Sequence, residues 1–198
     1  MTDVPSPGTR ERLIAAMTDA LRRRGLHGIG LTELLAQAGA PKGVLYHHFP
    51  GGKTELAVAA INDVVDRMLR GLDVLLASTP DPIEATRRWM AGATARLQDS
   101  GFESGCPLAT VALESTADDP ALRAALNQAF ARMRDRIALA LEQAGEPADR
   151  ARGVAALIVA AYEGGLLQAR VAQSIEPISQ ATQALLSLLA DRFSGANR

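Results

Sequence analysis

Apolar residues return every three or four positions along almost the whole chain, and no stretch between turn residues alternates with period two. That spacing paints one face of a helix; a half-buried strand needs strict alternation. Composition agrees where it bears on the choice. Alanine, the best helix former and a poor strand former, fills 37 of 198 positions, and only seven residues are aromatic. The chain therefore reads as all-α, with nine helices.

Local signals place them. Residues 1–8 contain Pro, Gly and Ser and read as a disordered tail. A first helix spans about Thr9 to Arg24, with Leu13, Met17, Ala20 and Leu21 on one face and Gly25 as its stop. Thr32 suits the N-cap of a short second helix, with Glu33 at its positive end. Gly39–Ala40 makes a turn, and Pro41 suits the first position of a third helix that ends at Pro50–Gly51–Gly52. A long fourth helix starts near Lys53 and reaches about Ser78. The fifth follows Asp81–Pro82, the sixth starts at Pro107, and the seventh follows Asp118–Asp119–Pro120. The eighth spans about Ala148 to Ser174 and the ninth about Pro177 to Phe193.

Charge separates two regions. The whole chain sums to −1, but residues 1–60 are net +2 and the remainder net −3. All three histidines (His27, His47, His48) and both lysines (Lys42, Lys53) fall in the first 60 residues. A near-neutral total excludes a polybasic protein and an acidic tail, while leaving room for a local reading head. One cysteine, Cys106, permits no internal disulfide, and the N-terminus lacks an apolar signal core, so the expected location is the cytoplasm. The apolar run between Arg152 and Glu163 is shorter than the roughly 20 residues a bilayer demands, so no membrane is expected.

Residues 32–49 have the layout of a helix-turn-helix, a layout shared with ordinary helical hairpins that turn at a glycine. In the third helix Leu45 and Phe49 must point inward, which leaves Lys42, Gly43, Tyr46 and His47 mostly outward. Lys and His can bond phosphate or base edges, a Tyr hydroxyl can do either, and Gly43 permits close backbone approach. The amides at the start of the Thr32 helix suit a phosphate. The His47–His48 pair does not suit a metal, because neighbours on a helix point about 100° apart. No cofactor is expected. An enzyme on a di-metal bundle would need Glu-x-x-His pairs, which the three histidines do not form, and no glycine-rich phosphate loop occurs.

The stretch LTELLAQAGAPKGVLYHHFPGGKTEL, with its AG-x-PKG-x-LYHHF core, resembles the DNA-binding signature of TetR/AcrR-family transcriptional regulators, and GCPLATVALE at 105–114 resembles their LmrA/YxaF-like branch. The resemblance implies an all-α homodimer. Its helix-turn-helix domain would occupy residues 9–52, and an effector-binding and dimerisation domain residues 53–198. It implies DNA contacts from Thr32, Lys42, Gly43, Tyr46 and His47, with His48 as a lesser member and Lys53 at a phosphate. Pro41 stands where many relatives carry a phosphate-binding Ser, and it cannot donate a bond. From Phe49 to Lys53 the spacing is four, where most relatives have three. The implied partners are double-stranded operator DNA and a small, mainly hydrophobic effector. Expected pocket liners are Trp89, Met90, Phe102, Cys106, Leu108, Met133, Tyr162 and Leu167. Expected dimer contacts are Leu157, Ala161, Gly164, Gly165, Ile178, Leu185, Leu188 and Leu189. Glu114 and Glu163, which interrupt apolar runs, could each bond a polar group of a ligand or simply face water, and the second is the expectation. The implied activity is that of a ligand-released repressor; a ligand-binding or assembly module whose helix-turn-helix no longer binds DNA is the competing reading.

Overall fold

The computed structural model describes residues 8–195, so the expected tail lies, but for Gly8, outside the described residues. Among the described residues there are nine helices and no strand. They are α1 (Thr9–Arg24), α2 (Leu31–Ala38), α3 (Lys42–His48), α4 (Gly52–Ser78), α5 (Pro82–Asp99), α6 (Pro107–Glu114), α7 (Pro120–Gln143), α8 (Ala148–Ala172) and α9 (Glu176–Gly195). The all-α expectation holds. Two helix starts differ from it by a residue or two. Gly30, in extended conformation, caps α2 and its carbonyl accepts the Leu34 N–H, so Thr32 sits inside the first turn. Pro41 likewise precedes α3 as its cap and accepts from the Val44 N–H. Neither start carries a side-chain cap bond, so the first amides of both helices are left open. At α5 the side-chain cap is present, with Asp81 accepting from the Ile83 N–H at 2.9 Å.

The helices form two compact units that interleave along the chain. One runs to Val64 and takes in Pro107–Asn127; the other comprises Val65–Cys106 and the chain from Gln128 onward. In the first, α1 packs on α2, α3 and α6. Its core holds Leu13, Met17 and Leu21 of α1, Leu34 of α2, Leu45 of α3, and Leu108 and Val111 of α6, all shut off from solvent. Phe49, just past α3, closes the same core.

In the second unit α8 and α9 pack against each other and α5 touches both. Their approach is close because Gly165 has no side chain: a Cβ there would stand 2.9 Å from Ile178 Cγ1. Length and hydropathy alone would let α8 cross a membrane. Its apolar surface is instead split. Ala155, Ile158, Tyr162, Leu166 and Ala169 are buried, while Leu157, Leu167 and Val171 remain exposed.

Candidate DNA interface

The turn between α2 and α3 is set by Gly39, whose backbone is left-handed (φ 58°). Its N–H donates to the Ala36 carbonyl, and the Ala40 N–H donates to that of Leu35, closing the last turn of α2. The chain then re-enters a helix whose buried anchors are Leu45 and, at its end, Phe49. With that side fixed inward, Lys42, Gly43 and His47 are exposed, Tyr46 is 46% exposed, and His48 is half-buried. A Cβ at Gly43 would meet no heavy atom within 4 Å, so this backbone lies open. An open groove of about 540 Å³ runs along the turn, lined by Thr32, Leu35, Ala36, Gly39, Ala40, Pro41 and Lys42. Thr32 and Lys42 therefore share one concave surface, and Tyr46 and His47 follow on the next turn of α3.

Sequence reasoning passed over Arg10. Its guanidinium lies 5.3 Å from the centre of the Phe49 ring, a cation–π contact at the end of α3. Nothing local to Thr9–Arg10 signals this, since it arises only where α1 meets α3. Lys53 also has a distinct setting. Its ammonium donates to the Ile29 carbonyl at 2.6 Å, and burial lowers its pKa from the ordinary lysine value, with the Glu114 carboxylate working the other way. Glu114 is only partly open to water, and its carboxylate accepts the Leu26 N–H at 2.5 Å.

The eight expected pocket residues are dispersed. Leu108 belongs to the core of the unit that contains α1, and Leu167 is 49% exposed. Phe102, at positive φ, is half-buried, and Met133 is buried. Met90 is buried, and its sulfur accepts from the Thr182 hydroxyl at 3.6 Å. Trp89 and Tyr162 stack with centroids 4.2 Å apart. Cys106, also buried, donates its thiol to Glu163 Oε1 at 3.2 Å. The Glu163 carboxyl end is buried and its Oε2 has no hydrogen-bond partner. Burial pushes its pKa up to about 7, and the thiol bond pulls the other way. A narrow seam of about 10 Å³ separates Leu72 and Leu76 of α4, Pro82, Ala85, Thr86 and Trp89 of α5, Ile137, Ala140 and Leu141 of α7, and Ile158 of α8. Trp89 is the one expected pocket residue that lines it. The Thr86 hydroxyl is already spent on the Pro82 carbonyl, so the lining is close to wholly apolar.

The expected dimer residues fall into two groups. Leu157 and Leu188 are exposed and Ala161 and Gly164 partly so, while Gly165, Ile178, Leu185 and Leu189 are consumed within the chain. Among the described residues no three His, Cys, Asp or Glu side chains are grouped to hold a metal ion.

Comparison with known proteins assigns both parts of the chain. The family model for bacterial regulatory proteins of the tetR family matches residues 13–60. The model for the C-terminal domain of LmrA/YxaF-like transcriptional regulators matches residues 82–184. The HTH-type transcriptional regulator LmrA of Bacillus subtilis is 28% identical over 181 residues, covering 91% of this chain and 96% of that protein. An uncharacterized HTH-type transcriptional regulator of Mycobacterium tuberculosis, Rv0196, is 30% identical over 194 residues, covering 92% and 94%. The crystal structure of reduced NemR from Escherichia coli superposes with a TM-score of 0.77 at 27% identity, covering 89% of this chain and 94% of that one. With its helix-turn-helix, the nine helices of its described residues and both family models in place, the chain belongs to the TetR family of bacterial regulatory proteins, in the LmrA/YxaF-like branch, as a DNA-binding transcriptional regulator.

Proposed function

We propose that this regulator is a repressor that leaves a palindromic operator when a small, mainly hydrophobic effector binds. Residues 9–52 form the DNA-binding domain and residues 53–198 the effector-binding and dimerisation domain. Thr32, Lys42, Gly43, Tyr46, His47 and, at the edge, His48 meet the DNA. The observation that carries the reading is the two-sided α3, with Leu45 sealed in the core and Lys42, Gly43, Tyr46 and His47 all open on the other side. Lys42 neutralises a phosphate, and Tyr46 and His47 supply hydroxyl and imidazole groups to base edges.

The protein works as a homodimer in the cytoplasm. On α8 the residues Gly153, Leu157, Ala160, Gly164, Leu167 and Val171 make a stripe at helical spacing that is open or partly open, and Ala184 and Leu188 extend it on α9. An exposed apolar stripe beside a buried one is what a second copy would cover, as a four-helix bundle. Two recognition helices then reach successive major grooves about 34–36 Å apart. The apolar seam beside Trp89 opens to admit the effector, and α4, unbroken from Gly52 to Ser78, transmits the change in spacing. A ligand that prefers the displaced state by a few kcal/mol suffices.

The test starts from the duplex that the wild-type protein enriches from a random-sequence library. Replacing Lys42 and Tyr46 together by Ala is expected to abolish binding to it while the helical content and oligomeric state stay unchanged. Wild-type affinity in that double variant would overturn the site. A ligand that saturates the protein yet leaves its DNA affinity unchanged would overturn release.

A further inference from the structure

The segment between α1 and α2 is held at two points by side chains from far along the chain. At its start, Gly25 ends α1 with φ 74° and ψ −174°, an extended exit that does not fold the next amide back onto the helix. The Leu26 N–H finds its acceptor 88 residues away instead, in Glu114 Oε2 at 2.5 Å, on the last residue of α6. Gly25 is the berth for that carboxylate: a Cβ there would lie 2.1 Å from Glu114 Oε1. At the other end of the segment, the Ile29 carbonyl accepts from the Lys53 ammonium in the first turn of α4. A carboxylate beside the C-terminal end of a helix meets the negative end of its dipole, and Lys53 offsets that cost. Two residues beyond Ile29, α2 begins, and its first turn is joined back to α1 by Glu33 and Arg24 at 2.7 Å.

We infer that Glu114 and Lys53 are a pair of positioning residues for DNA binding. They pin Leu26 and Ile29, fix the entry of α2, and so set how α2 and α3 are presented to DNA; Lys53 does this in place of a phosphate contact. The inference rests on the reading that α3 faces DNA. It separates two roles that sequence position alone merges. A lysine at the start of α4 is in place for a phosphate, but here one of its three ammonium donors is held by the Ile29 carbonyl and the side chain is partly buried, turned towards the chain.

Salt dependence distinguishes the roles. Removing one phosphate-neutralising cation lowers the slope of log K against log salt by about 0.9, while a misplaced head lowers affinity at constant slope. The full-length protein is titrated with the wild-type-enriched duplex between roughly 50 and 200 mM salt. Glu114→Ala and Lys53→Ala are each expected to bind about tenfold more weakly with the wild-type slope, a factor of ten being about 1.4 kcal/mol. Glu114→Gln, whose amide oxygen still accepts the Leu26 N–H, is expected to restore most of the affinity. Glu114→Asp, one methylene short of Leu26, gives the weaker binding again and stands in if Glu114→Ala does not fold. Wild-type affinity in Glu114→Ala or Glu114→Asp, or a slope lowered by about 0.9 in Lys53→Ala, overturns the inference. Lys42→Ala runs alongside and is expected to lower the slope. An unchanged slope there overturns the α3 contact, and the positioning role falls with it only if the Glu114 variants also bind as wild type.

Discussion

At Glu163 a carboxyl end is buried beside a single thiol, and the physical consequence is a proton held more tightly in the folded chain than in the unfolded one. Burial raises its pKa to about 7. A raised carboxyl pKa contributes stability that is complete below the unfolded value and disappears as pH rises through the folded one. The expected outcome is a free energy of unfolding that declines between about pH 4.5 and pH 7, by at most about 3 kcal/mol for a shift of this size. Glu163→Gln, neutral at every pH, should flatten that decline. Urea titrations at a series of pH values check it, and parallel curves for the two proteins would refute the assignment. Neither the buried carboxyl end of Glu163 nor the partly buried one of Glu114 is legible in the sequence. Each interrupts an apolar run, which is the ordinary mark of a solvated face, and each is drawn inward by a donor far away in sequence: Leu26 for Glu114 and Cys106 for Glu163.

Among the helices, those whose ends are encoded locally were the ones the sequence delimits well. The span of α1 runs from Thr9 to Arg24 as its apolar period and Gly25 require, and α5 starts where Asp81 and Pro82 dictate. The start of α2 lies one residue before Thr32, because the backbone turns helical straight after the extended Gly30 and no side chain caps it. The α8–α9 pair is set by a different kind of constraint. At Gly165 an added Cβ would stand 2.9 Å from Cγ1, 3.2 Å from Cβ and 3.3 Å from Cα of Ile178, so the neighbour cannot yield by turning a side chain alone. Gly165→Ala is expected to destabilise by about 1–3 kcal/mol, although alanine is the better helix former by about 1 kcal/mol. Gly71→Ala in α4, where a Cβ meets nothing within 4 Å, should show the propensity gain alone. Thermal unfolding of the two variants measures the difference, and equal shifts in the same direction would count against the close approach.

For the molecule as a whole, the open stripe on α8 and α9 carries the dimer proposal. Leu157 and Leu188 are 48% and 56% exposed in the single chain. Charging both, with Leu157→Glu and Leu188→Glu, should give a folded monomer by sedimentation. Its DNA affinity should fall by a hundredfold or more, since two linked heads gain about 10²–10⁴ over one. A double variant that sediments as wild type would place the dimer contact elsewhere.

The sequence by itself determined the class of fold, the existence and rough limits of the helices, and the two faces of α3, because each depends on residues within one or two helical turns. It also carried enough of the Lys42–Phe49 pattern to identify the family. The tertiary structure alone decided which buried positions meet. Trp89 lies on the apolar seam while Leu108 is absorbed into the core around α1, and Gly165 is filled by Ile178 while Leu157 stays open. It also decided that Lys53 bonds the Ile29 carbonyl and that Glu114 closes on Leu26. These are long-range choices. A side chain's periodicity states that it must be buried or may be exposed, but only packing states against what, and a polar group changes sides whenever a distant donor offsets the loss of water.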